Sequence, residues 1–200
     1  MKEKLLLILF LLLSLTTEIN ATNSARQILD KAAAKVPLSY GAYATFSVSG
    51  NNIHAMRGTI AIKGNKFNAS TGNAIIWYDG KTQWIYNKKS QEVNVSSPKG
   101  YQIASMNPYF FLTLYKKGYS LKQTNTSNGY TIYIYGGNKG GIKEMYVTVD
   151  KQYNIKNIKV KQGQQWITIT VNGLQAKKYT DSTFRFNAKD YPKAEVIDLR

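Results

Sequence analysis

The chain has 200 residues, enough for one domain with a sizeable core. It carries 27 Lys and Arg against 11 Asp and Glu, a formal charge of +16, one histidine and no cysteine. This excludes a disulfide framework and most metal centres and nucleophilic dyads, and it favours contact with anionic surfaces.

The N-terminus opens on Lys2 and Lys4, followed by an apolar run from Leu5 to Leu15 broken only by Ser14. Polar Thr16, Thr17 and Glu18 then lead to Ala21, a plausible cleavage point. This layout predicts a secretory signal peptide over residues 1–21, removed to leave one exported domain over residues 22–200. Without cysteine, the mature protein also lacks the lipid-bearing residue of a bacterial lipoprotein.

Thr22 to Lys35 reads as a helix, with Ala25, Ile28, Leu29 and Ala32 at helical spacing and Pro37 ending it. Beyond Pro37 the period becomes two. Strands are predicted over Tyr40–Ser49, Thr59–Lys63, Lys66–Ser70, Ala74–Tyr78, Thr82–Asn87 and Glu92–Ser96. Tyr101 to Lys117 breaks this run as a single apolar helix, with Asn107-Pro108 as cap and first position. Strands resume over Tyr119–Gln123, Tyr130–Tyr135, Lys143–Asp150, Ile155–Gln162 and Gln165–Asn172, with a last short one at Thr183–Phe186. Short strands joined by brief turns predict a curved antiparallel meander, mainly β, that curls towards a barrel.

Asp79-Gly80 predicts a two-residue hairpin in which Tyr78 faces Lys81, Trp77 faces Thr82 and Ile75 faces Trp84. One face then carries Ile75, Trp77, Trp84 and Tyr86, and it is expected to look inward. No carboxylate pair, nucleophile or metal cluster stands out around the lone His54. The glycines at 136, 137, 140 and 141 lie between two strands with no helix to follow, which reads as a flexible hairpin loop rather than a phosphate loop. The expectation is a binding protein with no enzymatic activity, no cofactor and no nucleic-acid partner.

The segment Asp79-Gly80-Lys81-Thr82-Gln83-Trp84-Ile85-Tyr86-Asn87 resembles the central signature of the outer-membrane lipoprotein carrier family, LolA. Gly58 to Lys63, Phe67, the apolar stretch Pro108 to Leu112, and Phe184 and Phe186 extend the resemblance along the mature chain. The resemblance implies an unclosed antiparallel β-barrel covered by a helical lid over an apolar cavity. It also implies a periplasmic carrier that takes acylated lipoproteins from an inner-membrane exporter to an outer-membrane acceptor. The family's latch arginine, just after the strand matching Ile60 to Lys63, is absent from Lys63-Gly64-Asn65-Lys66, so no residue inherits that role.

An acyl carrier needs aliphatic and aromatic side chains in its cavity, since each buried methylene is worth about 0.8 kcal/mol. The expected ligand-binding residues are Phe46, Phe67, Ile75, Trp77, Trp84, Tyr86 and Trp166 in the sheet, with Met106, Phe110, Phe111 and Leu114 in the lid. A monomer is expected, with acylated lipoprotein or another lipid as its partner. Two other readings stay open: carriage of an anionic glycolipid or phospholipid, and an envelope sensor or adaptor that binds a protein.

Overall fold

The computed structural model describes residues 24–51, 53–99, 108–136 and 142–200. The expected signal peptide, Met106 and most of the glycine loop lie outside the described residues. Helix α1 spans residues 24–34. Six strands follow: β1 (Ala42–Gly50), β2 (Ile53–Lys63), β3 (Lys66–Thr71), β4 (Ala74–Tyr78), β5 (Gln83–Asn87) and β6 (Glu92–Ser96). Helix α2 (Pro108–Thr113) runs into a 3₁₀ turn at Leu114–Lys117. Then come β7 (Ser120–Thr126), β8 (Gly129–Tyr135), β9 (Glu144–Asp150), β10 (Ile155–Gln162), β11 (Gln165–Ala176) and β12 (Glu195–Asp198).

The strands form one 12-stranded sheet in the order β12-β6-β5-β4-β3-β2-β1-β11-β10-β9-β8-β7. It comprises two antiparallel meanders, β1–β6 and β7–β11, joined where the first strand of one pairs with the last of the other. Its ends, β12 and β7, do not meet, so the barrel stays unclosed. Twelve twisted strands accumulate enough rotation to curl the sheet, as the sequence pattern predicts.

Three features depart from expectation. Strand β2 begins at Ile53 rather than Thr59, because its first half pairs with β1 (Val48 with Met56) while its side chains stay largely exposed and carry no apolar alternation. Thr183–Phe186 is not a strand; a 3₁₀ turn spans Asp181–Phe184. The closing strand is β12, which lies parallel to β6, so the sheet is not wholly antiparallel.

Two irregularities keep apolar residues on the inner face. Tyr43 pairs with Gln175 but Thr45 with Asn172, so β11 carries an extra residue beside Gly173, whose φ of +60° suits glycine. A shift between Ile155 and Asn157 likewise lets Ile155 and Ile158, three apart, face Val149 and Val147 on one side. The main core lies on this face. Ile132, Ile134, Met145 and Val147 from the sheet pack with Ala25, Leu29 and Ala32 of α1, with Phe111 of α2, and with Leu114 and Tyr115 of the turn after it. A second cluster holds Ala44, Ile60, Ile62, Phe67, Ala69 and Tyr78, and Leu38, Val171 and Leu174 touch both.

Candidate functional site

The apolar cavity lies where the two clusters meet. Strands β1, β2, β10 and β11 supply Ala44, Phe46, Ile60, Ile62, Ile155, Ile158, Ile169, Val171 and Leu174, and the roof supplies Val36 and Tyr109. Phe46 lies over the backbone of Gly58, where an added Cβ would come within 2.7 Å of the ring, so glycine there makes room for it. The cavity is small, about 40 Å³. That admits a water molecule or two, against about 300–1,000 Å³ for a site that encloses a ligand. In this state α1 and α2 fill most of the hollow. A larger depression of about 380 Å³ lies on the outer face beside Trp77, but Arg185, Asn187 and Asp190 border it, which does not suit hydrocarbon.

The expected binding residues fall into three groups. Phe46 lines the cavity, and Phe67 packs in the adjoining cluster. Phe111 and Leu114 are buried beneath the roof, while Phe110 is half-buried with the Lys117 ammonium 4.7 Å from its ring centre. Ile75, Trp77, Trp84 and Tyr86 share one face, as predicted, but it is the outer one. The hairpin loop runs from Asp79 through Thr82, so Trp77 opposes Trp84 and Ile75 opposes Tyr86. One Asp79 carboxylate oxygen accepts from the amides of Lys81 and Thr82, and the other accepts from Arg185 Nε at 3.0 Å, which favours the longer loop. The register moves by two residues, so face partners survive while the individual pairs change.

The outer aromatics are covered by the C-terminal segment instead. Phe186 and Tyr191 pack on Trp77 with ring centres 5.6 Å away in each case, and Tyr191 lies 4.8 Å from Tyr86. Phe184 is fully buried beside Tyr179. Trp166 also points outward, against Tyr146. Sequence reasoning missed Val36, Tyr109, Ile169 and Val171. The stripe on α1 and the alternation in β11 were the available signals, but neither says which elements converge on one space.

Lys63 and Lys66 do not replace the family's latch arginine. Both reach the C-terminal segment: Lys66 pairs with Asp181 at 2.7 Å, and Lys63 donates to the Tyr179 carbonyl at 3.0 Å and pairs with Asp181 at 3.4 Å. The roof has its own tie. The Tyr115 hydroxyl donates to Asp30 of α1, and Lys116 pairs with Asp30 at 3.3 Å. Burial and the Asp30 carboxylate push the Tyr115 phenol well above its ordinary range, so it remains a donor at any physiological pH.

The C-terminal ties titrate in acid. Burial alone would raise the Asp79 pKa, but the Thr82 amide, Arg185 and the Lys81 amide together hold it below 3.8. Lys66 and Lys63 lower Asp181 in the same way. Depressed carboxylates stabilise the fold fully above their unfolded value and lose that contribution as pH falls through the folded one. The segment is therefore expected to hold down to about pH 4 and to loosen below it. A red shift in tryptophan emission confined to pH values under 3.8 is the expected reading; a transition centred near neutrality would contradict it.

Residues 15–164 match the family model described as "Outer membrane lipoprotein carrier protein LolA". The chain is similar in structure to an uncharacterized conserved protein from Thermus thermophilus, at 15% identity and TM-score 0.58, over 88% of this chain and 99% of that one. It is also similar to a LolA superfamily protein from Nitrosomonas europaea, at 10% identity and TM-score 0.45, over 81% and 97%. None of the curated proteins matches by sequence. At such identities the structural likeness speaks for the fold alone.

Proposed function

Because the chain belongs to the outer membrane lipoprotein carrier protein LolA family, we propose that it is a periplasmic carrier for the acyl chains of lipoproteins, without catalytic activity. In this reading it takes lipoproteins from an inner-membrane exporter and yields them to an outer-membrane acceptor. One observation carries the proposal. A continuous apolar inner face is roofed by two short elements that are joined to each other by a polar contact at Asp30 and Tyr115.

The filled hollow defines how such a carrier works. Chains enter only when α1 or α2 moves off Phe46, Ile60 and Val171, and each methylene then gains about 0.8 kcal/mol on leaving water. The roof side chains recover the same apolar contact on return, so bound and empty states lie close in free energy. A small energetic gap suits handover.

Delipidated protein titrated with a fluorescent acylated peptide tests the reading. Saturable uptake is expected, and its complete absence under all conditions would favour an adaptor that binds a protein. Tyr115→Phe removes the hydrogen bond of the roof contact and leaves only the exposed Lys116–Asp30 ion pair. Since Asp30 is more than half exposed, that hydrogen bond is worth about 1 kcal/mol. Apparent affinity should therefore rise about five-fold as the open state becomes better populated. Unchanged affinity would show that the roof does not gate entry.

A further inference from the structure

The outer face differs between the two halves of the sheet. Over β3 to β5 the C-terminal segment covers it. Over β8 to β11 it carries a row of rings in contact with one another. Tyr133 stacks on Tyr135 at 4.8 Å and on Tyr146 at 4.7 Å, with interplanar angles of 15° and 20°. Tyr146 meets Trp166 at 5.4 Å. Tyr135 remains 37% exposed.

Lysines flank the row. Lys122 is the cross-strand partner of Tyr133, and Lys159 that of Tyr146. The Lys159 ammonium lies 5.1 Å from the centre of the Trp166 ring. Lys161 pairs with Glu144 at 2.6 Å, and Glu144 also accepts from the Tyr133 hydroxyl at 2.9 Å. Lys122 and Lys159 are exposed, and neither has an ion pair among the described residues. This face is therefore positive, in keeping with the +16 of the whole chain.

Ring geometry selects the partner. Tyr133 is stacked upon by two rings and Lys159 sits over Trp166, which leaves little open ring face in the middle of the row for a sugar to stack on. Ring edges are electropositive, and Tyr and Trp edges beside lysine suit the headgroup level of a bilayer. We propose that the outer face of β7–β11, through Tyr135, Trp166, Lys122 and Lys159, docks the protein on anionic phospholipid membrane. This surface stands apart from the inner hollow and does not require it to bind lipid.

Sedimentation with phosphatidylcholine vesicles, with and without phosphatidylglycerol, tests the proposal. Binding is expected only with phosphatidylglycerol and should weaken as salt is raised. Each lysine near such a surface contributes a factor of about five, so Lys122→Gln with Lys159→Gln should lower partitioning about 30-fold. Both positions are exposed, so the fold should be retained, as a thermal melt will show. Trp166→Phe should abolish the vesicle-induced blue shift of emission. Lipid capture by the interior would not depend on headgroup charge and would survive the lysine changes, so failure of docking and failure of carriage are separable. Equal binding to neutral vesicles, or tight binding of the variant, would overturn the proposal. So would preference for a soluble anionic glycan or an acidic peptide over phosphatidylglycerol.

Discussion

Phe184→Ala is expected to cost about 3–5 kcal/mol, a large part of the roughly 5–15 kcal/mol that holds a domain folded. The ring is completely buried beside Tyr179, in a turn that lies against β3 and β4. It anchors the segment that covers Trp77 and Tyr86 and then adds β12 to the sheet edge. Its loss should lower the denaturant midpoint and leave Trp77 emission shifted to the red. The ion pairs nearby contribute far less. Arg185 is largely exposed, so Arg185→Ala should cost no more than about 1 kcal/mol. A Phe184→Ala protein with unchanged stability would mean that the C-terminal segment rests on the sheet without supporting it.

The second large effect is expected at Val171, which lines the cavity beside its cross-strand partner Phe46. A carboxylate there would be stripped of water whenever an acyl chain was seated, at a cost of several kcal/mol. Val171→Asp should therefore weaken acyl-peptide uptake more than about 100-fold. Because that change also strains the fold, Val171→Thr serves as a milder version: it conserves shape and leaves one unpaired hydroxyl, for a loss of about ten-fold. Thr170→Asp provides the control, since the adjacent side chain points to the outer face, where Thr170 bonds Asn157. Uptake that responds equally at both positions would place the ligand somewhere other than the inner hollow.

The covered aromatic face explains why part of the site was illegible in the sequence. Trp77, Trp84 and Tyr86 form a dense aromatic group on one sheet face, and such a face is ordinarily core. Here it is core, but of a second layer built by residues more than a hundred positions later, Phe186 and Tyr191. Nothing local distinguishes a face buried by a helix from one buried by a distant tail. The Asp79 loop is longer than the two-residue turn that Asp-Gly predicts, for a related reason. Its carboxylate is partly held by Arg185, and that contact spans 106 residues.

Alternation within each strand was readable because side chains change sides at every residue, whatever the strand packs against. That alone determined a mainly β chain with apolar rows on one face of a strand, such as Ile132 with Ile134 and Met145 with Val147, and a helix of apolar residues around Phe111 and Leu114. Only tertiary structure decided that β1 closes on β11, that α1 shares the roof with α2, and that the inner face carries aliphatic rather than indole side chains. Those outcomes depend on which surfaces meet. Local periodicity offers each strand two equivalent faces, and long-range packing chooses between them.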